Sequence, residues 1–291
     1  MKKISFILLS AMSILLYIPA NAQQLTNKWL PLLTKDLRYW DVFIGVPHTS
    51  LNLKDQPMGD GMNGTPLGLN NDPLHVFSVE MIDGQPVLHI SGQVYGGLST
   101  KTEFENYHFK AEFKWGEKKY EPRLKDKRDN GILYHATEPH GQFWNVWMRA
   151  HEFQVQEGDF GDYYSLVGVG MDIHARVKDS TAKHPDWVYD PAAPVVQFTS
   201  NRTPASTCRR IADYEKPHGE WNTLELYCFG TTSVHVVNGH VVMILENSRI
   251  SPKTGDETTL KKGKIQIQSE AAEAYYRNIS IQKLDKMPVF N

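Results

Sequence analysis

Apolar residues in this chain recur at every second position, in one strand-length run after another. Examples are PVLHISG at 86–92, NYHFKAEFKW at 106–115, GILYHA at 131–136 and HEFQVQE at 151–157. The pattern continues in WNTLELYCF at 221–229, SVHVVNGHVVMI at 233–244, GKIQIQSE at 263–270 and AYYRNISIQKL at 274–284. A period of two sends alternate side chains to opposite faces of a pleated strand, so each run has one face to bury. Val, Ile, Tyr, Phe and Trp are frequent in these runs, as strands favour. Asn238-Gly239, set between two such runs, is a two-residue hairpin signal. Beyond residue 22 no window carries a helical i, i+3, i+4, i+7 stripe. Many short strands without crossover helices predict an all-β, antiparallel β-sandwich or jelly roll with long loops.

The first 22 residues have a separate purpose. Lys2 and Lys3 precede an apolar run from Ile4 to Ile18, and Ala20-Asn21-Ala22 closes the segment. A basic start, an apolar stretch and an A-x-A end predict a secretory signal peptide. The mature chain, 23–291, is then expected as one exported domain, periplasmic or secreted, with no lipid-bearing Cys near the cleavage point and no membrane span. A chain of this length buries roughly 75% of its unfolded surface and needs no disulfide scaffold. The balance of 31 Lys+Arg against 33 Asp+Glu argues against a nucleic-acid partner. Export permits a bond between Cys208 and Cys228. However, Cys228 shares parity with Leu224 and Leu226, while Cys208 lies in the polar stretch TPASTCRR. A buried thiol and a loop thiol are the simpler expectation.

Three stretches break the rhythm: 44–75 with its many turn residues, the charged 116–129, and 158–220, which shows little regular pattern. Loops of this length in a compact domain usually wall a functional site.

The polar strand faces are where chemistry can sit. In HEFQVQE, Glu152, Gln154 and Gln156 share one face, opposite Phe153 and Val155. In GKIQIQSE, Gln266, Gln268 and Glu270 lie opposite Ile265 and Ile267. Amides and carboxylates offer both ends of a hydrogen bond and suit a polyhydroxyl ligand, although an ordinary solvated face has the same alternation. Glu157, Asp159 and Asp162 cluster around Gly158 and Gly161, either as a solvated turn or as oxygen ligands for a divalent cation such as calcium. Tyr134 and His135 end the run GILYHA, and a His there can act as a base near neutral pH. Trp144, Trp147, Tyr163, Tyr164 and Trp187 fall in or near loops and can stack on sugar rings or pack beneath them. The chain contains no G-x-S-x-G, no H-E-x-x-H and no Gly-rich phosphate loop, which removes serine hydrolase, zincin and nucleotide-binding readings.

The segments RDNGILYHA, WMRAHEFQVQEGDFGDYY, GEWNTLELYCFG, VNGHVV, GKIQIQSE and YYRNISIQKL occur in this order. Together they resemble the 3-keto-disaccharide hydrolase domain family, over roughly Trp29 to Leu284. The resemblance implies a concanavalin A-like jelly roll with its site on the concave sheet. It also implies cleavage of glycosides already oxidised to a ketone at carbon 3. Such a ketone acidifies the hydrogen on carbon 2; a base removes it, and the enolate expels the carbon 1 substituent, with or without water adding back. No oxocarbenium ion is needed, so the carboxylate pair of ordinary glycosidases is not required.

On this resemblance Glu152 is expected as base or metal ligand and His135 as a second base or acid. Lys101 is expected either to stabilise the enolate or to be an ordinary solvated Lys. Gln154 and Gln268 would hold sugar hydroxyls, with Tyr134 and Gln156 as further substrate contacts, and Glu157 and Asp159 would complete a cation site or position the leaving group. Arg277 matches a motif but is expected to anchor the last strand. Gln156 departs from the family, which often carries Asp there. Two rival classes are a carbohydrate-binding jelly roll without catalysis and a conventional glycosidase.

Overall fold

A computed structural model describes residues 25–179, 186–201 and 205–290. The expected export signal therefore lies outside the described residues. Among these residues there is no α-helix, and no helix is long and apolar enough to cross a membrane.

The strands form two large antiparallel sheets. The larger runs, in spatial order, through Trp187–Tyr189, Val169–Val177, His240–Ile250, Thr232–Val237, Asn222–Phe229, Tyr107–Lys119, Ala272–Lys283, Gln85–Ile90 and Phe77–Ile82. The smaller runs through Thr207–Cys208, Tyr163–Leu166, Arg149–Gln154, Gly131–Thr137, Lys262–Ser269, Gly96–Thr100, Trp40–Ile44 and Gly68–Leu69. Neighbours in space are often distant in sequence, as where Tyr107–Lys119 pairs with both Asn222–Phe229 and Ala272–Lys283. This is the jelly-roll sandwich that period two predicts.

Alternation explains how the layers meet. Asn222–Phe229 alternates buried and half-buried residues along its whole length, and Phe109, Ala111, Phe113 and Trp115 of Tyr107–Lys119 all turn into the core. From the smaller sheet, Ile132, Phe153, Ile265 and Ile267 enter the same continuous cluster. Burying side chains of this size contributes about 2 kcal/mol each. Asn238 and Gly239 both adopt positive φ, 50° and 81°, and turn Thr232–Val237 into His240–Ile250 as the hairpin signal requires.

The structure corrects three expectations. The stretch 158–220 contains five strands, including Val169–Val177, where Met171, Ile173 and Ala175 face inward. Its alternation was obscured by flanking glycines and by irregular segments on either side. Cys208 is not a loop thiol: it lies in the short strand Thr207–Cys208, 1% exposed, and both cysteines are buried and free. His135 does not end its strand, which runs on to Thr137. Its φ of 49° breaks the alternation after Tyr134, and both side chains sink into the interior.

His135 joins His151 and His235 among the buried side chains. His151 contacts Tyr163 Oη at 3.0 Å and Ser248 Oγ at 2.9 Å, and His235 contacts Gly161 O at 3.0 Å and Tyr134 Oη at 3.2 Å. Neither ring nitrogen of His135 has a hydrogen-bond partner. Burial pushes His135 and His235 down to about 4, and pushes His151 down as well. An unfolded His takes up a proton below about 6.5, whereas His135 stays neutral in the fold until about 4. Its contribution to stability is thus lost as pH falls through that window. Replacing His135 with Leu removes two unpartnered polar atoms and should stabilise the fold at pH 7 by about 1–3 kcal/mol. The advantage should grow by about 2 kcal/mol at pH 5, read as the difference between wild-type and variant urea unfolding curves. An advantage that stays constant with pH would show that His135 does not resist protonation.

Candidate active site

Three neighbouring strands of the smaller sheet, Arg149–Gln154, Gly131–Thr137 and Lys262–Ser269, turn their non-core faces away from the sandwich. Glu152 and Gln154 point out from the first, and Gln268 and then Glu270 from the last, as alternation requires. The outward face is covered in two different ways. Loop 138–148 folds over one half, where Trp147, Met148 and Val146 form a second apolar cluster with Leu133, Ala136 and Ala150. Over the other half a cavity of about 390 Å³ remains open, lined by Glu152, Gln154, Gln156, Gln268 and Glu270 among others.

A missing side chain makes this floor possible. Gly131 lies between Glu152 and Gln268, and a Cβ there would overlap Glu152 Oε1 and Gln268 Oε1. Its bare backbone lets the two side chains lie toward each other across the middle strand. Asn130, just before it, donates to Gln268 O at 2.6 Å and accepts from Tyr276 Oη at 2.6 Å, which pins the strand's start.

Asp129 and Glu270 face each other across an antiparallel bridge at the ends of their strands. Between them reaches Arg123, from the loop after Tyr107–Lys119, with a guanidinium nitrogen 2.7 Å from Asp129 Oδ2 and another 3.0 Å from Glu270 Oε1. Gln156 Nε2 donates to the same Asp129 oxygen at 2.5 Å. Asp129, Glu152 and Glu270 are 4%, 5% and 5% exposed, so one guanidinium faces three carboxyl groups almost out of water. Burial raises Asp129 to about 6, against the pull of Arg123 and Gln156. Burial and the charge of Asp129 hold Glu152 well above the usual carboxyl range, opposed in part by Gln268 and Arg123. Glu270 is raised in the same way, by burial and by its two carboxyl neighbours, against Arg123. Asp129 Oδ1 and Gln268 Oε1 are buried acceptors without a donor. Gln154 spends its Oε1 on Val155 N at 2.8 Å, which leaves its NH₂ for other partners.

Of the residues singled out in the sequence, Glu152, Gln154, Gln156 and Gln268 meet in this cavity, with Trp144, Trp147 and Tyr164 along its walls. Tyr134 and His135 do not reach it, because both are fully buried between the sheets. Lys101 is exposed and donates to Arg38 O at 3.1 Å, outside the cavity lining. Tyr163 is buried in the core, and Trp187 packs edge-on against Phe198. Gln266 is fully buried under loop 138–148, held by Ser99 Oγ at 2.7 Å and by Met148 N at 3.1 Å. Arg277 pairs with Glu112 of the neighbouring strand at 2.6 Å, the anchoring role expected of it.

Glu157 and Asp159 do not assemble as a cation site. Glu157 pairs with Arg128 at 3.1 Å, and Asp159 pairs with Lys127 at 2.7 Å and lies 3.4 Å from Arg209. Each carboxylate already has a positive partner, and among the described residues no group of three or more His, Cys, Asp or Glu is placed to hold a metal ion.

The sequence placed Glu270 on the polar face with Gln268 but gave it no role, and it gave no sign of Asp129 or Arg123. Asp129 stands directly before a strand whose start was recognised. Arg123 gave no sign because a guanidinium in a charged loop resembles any solvated one until the loop folds back.

Residues 35–282 match the family described as the 3-keto-alpha-glucoside-1,2-lyase-like domain. This chain belongs to that family. No curated protein matches it. Among solved structures it is similar to a candidate glycosyl hydrolase from Parabacteroides distasonis, at 18% identity, covering 89% of this chain and 100% of that one with a TM-score of 0.46. A carbohydrate-binding module from Bacillus subtilis is similar at 7% identity, 71% and 92% coverage and a TM-score of 0.39. An alginate lyase is similar at 9% identity, 89% and 95% coverage and a TM-score of 0.41. Family membership supports a carbohydrate-active protein of the hydrolase or lyase kind.

The crossing at Gly131 is directly testable. Gly131→Ala should fold with a modest loss of stability, about 1–3 kcal/mol, because its Cβ forces two buried polar side chains aside. Glycoside cleavage, or sugar binding measured by calorimetry, should fall much further than the fall in folded fraction explains. Activity lost only in proportion to folded protein would show that the Glu152–Gln268 arrangement is not used.

Proposed function

We propose that this chain cleaves glycosidic bonds of sugars bearing a ketone at carbon 3, by elimination across carbons 1 and 2. One observation carries the reading: Asp129 and Glu270 pair with the single guanidinium of Arg123, and a third buried carboxyl group, Glu152, lies in the same cavity with no ion-pair partner of its own among the described residues. They cannot all be ionised at modest cost, since an uncompensated buried charge costs about 3–5 kcal/mol. At neutral pH one carboxyl is therefore a base while another still carries its proton. The two unpartnered acceptors, Asp129 Oδ1 and Gln268 Oε1, add sites for ligand hydroxyls or an acidic hydrogen. Family membership supports the choice of substrate class.

In this mechanism Asp129 is the base. Its Oδ2 is held by Arg123 and Gln156, while Oδ1 is uncommitted. Oδ1 takes the proton from carbon 2, and the C–H electrons form the enolate of the carbon 3 ketone. The Gln154 NH₂ offers a hydrogen bond to the oxygen where that charge gathers. The enolate re-forms the ketone by making a double bond between carbons 1 and 2 and breaking the bond from carbon 1 to the leaving oxygen. Glu152, held protonated by burial, gives that oxygen its proton. Water adding to carbon 1 of the resulting enone completes a net hydrolysis. The sequence expectation of Glu152 as the base thus becomes an acid role, because its surroundings favour the neutral form. The export expected from residues 1–22 would place this reaction outside the cytoplasm.

The pH profile tests the assignment. Cleavage should rise with pH as Asp129 ionises near 6 and fall at higher pH as Glu152 loses its proton. Asp129→Asn and Glu152→Gln should each lower kcat by roughly 10²–10⁴-fold, the first removing the rising limb and the second the falling limb. In deuterium oxide the released 3-keto sugar should carry deuterium at carbon 2. Cleavage of unoxidised glycosides without deuterium uptake would favour a conventional glycosidase. Sugar binding with no turnover of any 3-keto glycoside would favour a binding module.

A further inference from the structure

Between the base and the crossing at Gly131 sits a residue that the mechanism leaves unused. Asn130 is 0% exposed, and its contacts reach each of the three strands of the floor. Its backbone O accepts from Val155 N at 2.9 Å, directly after the strand Arg149–Gln154 that carries Glu152 and Gln154. Its Nδ2 donates to the backbone O of Gln268 at 2.6 Å, in Lys262–Ser269. Its own N–H faces the Asp129 carboxyl, where it favours the ionised form. Gly131, the next residue, opens the third strand. One asparagine thus ties together the segments that place Asp129, Glu152 and Gln268.

An Asn amide has an oxygen and an NH₂ of similar size, so its orientation is set by what each end meets. The Oδ1 end meets the opposite sheet. Tyr276, on Ala272–Lys283, lies directly between Leu88 and Phe113 of the two flanking strands. Its ring is fully buried and meets Phe113 edge-on at 5.0 Å. Burial pushes the Tyr276 hydroxyl well up, so it keeps its proton and donates it to Asn130 Oδ1 at 2.6 Å. The next residue of the motif YYRNI, Arg277, pairs instead with Glu112 beside it on the same sheet. Of these two motif residues Tyr276 crosses the core, from a strand with neighbours on both sides to the segment that carries the base. Phe at this position would fill the same space but leave Oδ1 a buried acceptor without a donor. Asn130 relieves that only by swinging away, and swinging away releases Gln268 O.

We infer that Tyr276, fully buried in the larger sheet, is a positioning residue for the reaction, holding the Asn130 amide in the one orientation that keeps Asp129, Glu152 and Gln268 in register. It touches no reacting atom and acts through Asn130. The inference rests on the proposed carbon 1–carbon 2 elimination, in which Asp129 is the base.

The test is Tyr276→Phe, made in the wild type and in the Asp129→Asn background and assayed on methyl 3-keto-glucoside, with crystal structures of wild type and Tyr276→Phe. Referred to the folded fraction from thermal melts, kcat should fall about tenfold in the wild-type background. Where Asp129 is already replaced, the fall should be less than about twofold, because the group being positioned is gone. No loss, or the same factor in both backgrounds, overturns the positioning role and leaves the elimination intact. If wild type does not turn over the 3-keto glucoside, the elimination reading fails, and the two crystal structures decide the positioning alone. An Asn130 amide turned from Gln268 O, with the Asp129 carboxyl drawn from Arg123, upholds it; an unchanged arrangement overturns it. Should Tyr276→Phe fail to fold, Asn130→Ser removes the same hydrogen bond from its other end and is read by the same criteria.

Discussion

One guanidinium paired with two of three buried carboxyl groups, in a place water hardly reaches, is the constraint on which the rest of the site depends. Arg123 sits 2.7 Å from Asp129 and 3.0 Å from Glu270, with Glu152 on the same floor. Without that charge, burial would drive all three carboxyls neutral and leave a cavity of acids with no base. Each further positive charge would favour ionising one more carboxyl, until none remained to act as an acid. A single positive charge supports a mixed state, in which proton donor and proton acceptor coexist near neutral pH.

The sandwich supplies what this arrangement needs. The inner faces of the two sheets pack into one continuous core, which makes the three site strands a rigid floor. Alternation carries Glu152, Gln154 and Gln268 out on the opposite face, and Gly131 allows two of them to converge across an intervening strand. Loop 138–148 seals one half of that face with Trp147 and Met148, which lowers the polarity around the remaining cavity. The buried histidines lie between the layers, His135 and His151 on the core side of this sheet and His235 on the facing sheet. Burial keeps them neutral, with hydrogen bonds to His151 and His235 and none to His135.

The fold was legible from the sequence because strand formation here is a matter of period. Each run from Tyr107–Lys119 to Ala272–Lys283 states its buried face in its own residues, and Asn238-Gly239 states its turn. The outward set on the site strands was legible for the same reason. The role given to His135 failed where the backbone departs from a regular pleat: its φ is positive, and the residue expected as a base or acid lies buried in the interior. Gln266 had the right parity and still missed the cavity, because a loop distant in sequence covers it.

The sequence alone thus determined the architecture, the family and which polar side chains share the outward face of the site strands, since these follow from local alternation and short motifs. Only the tertiary structure decided which carboxyls act together. Asp129 and Glu270 are 141 positions apart and become partners through a strand bridge, and Arg123 joins them through a loop with no periodic signal. The proton affinity of each group is set by burial and by neighbouring charge, and both exist only once distant segments have packed together.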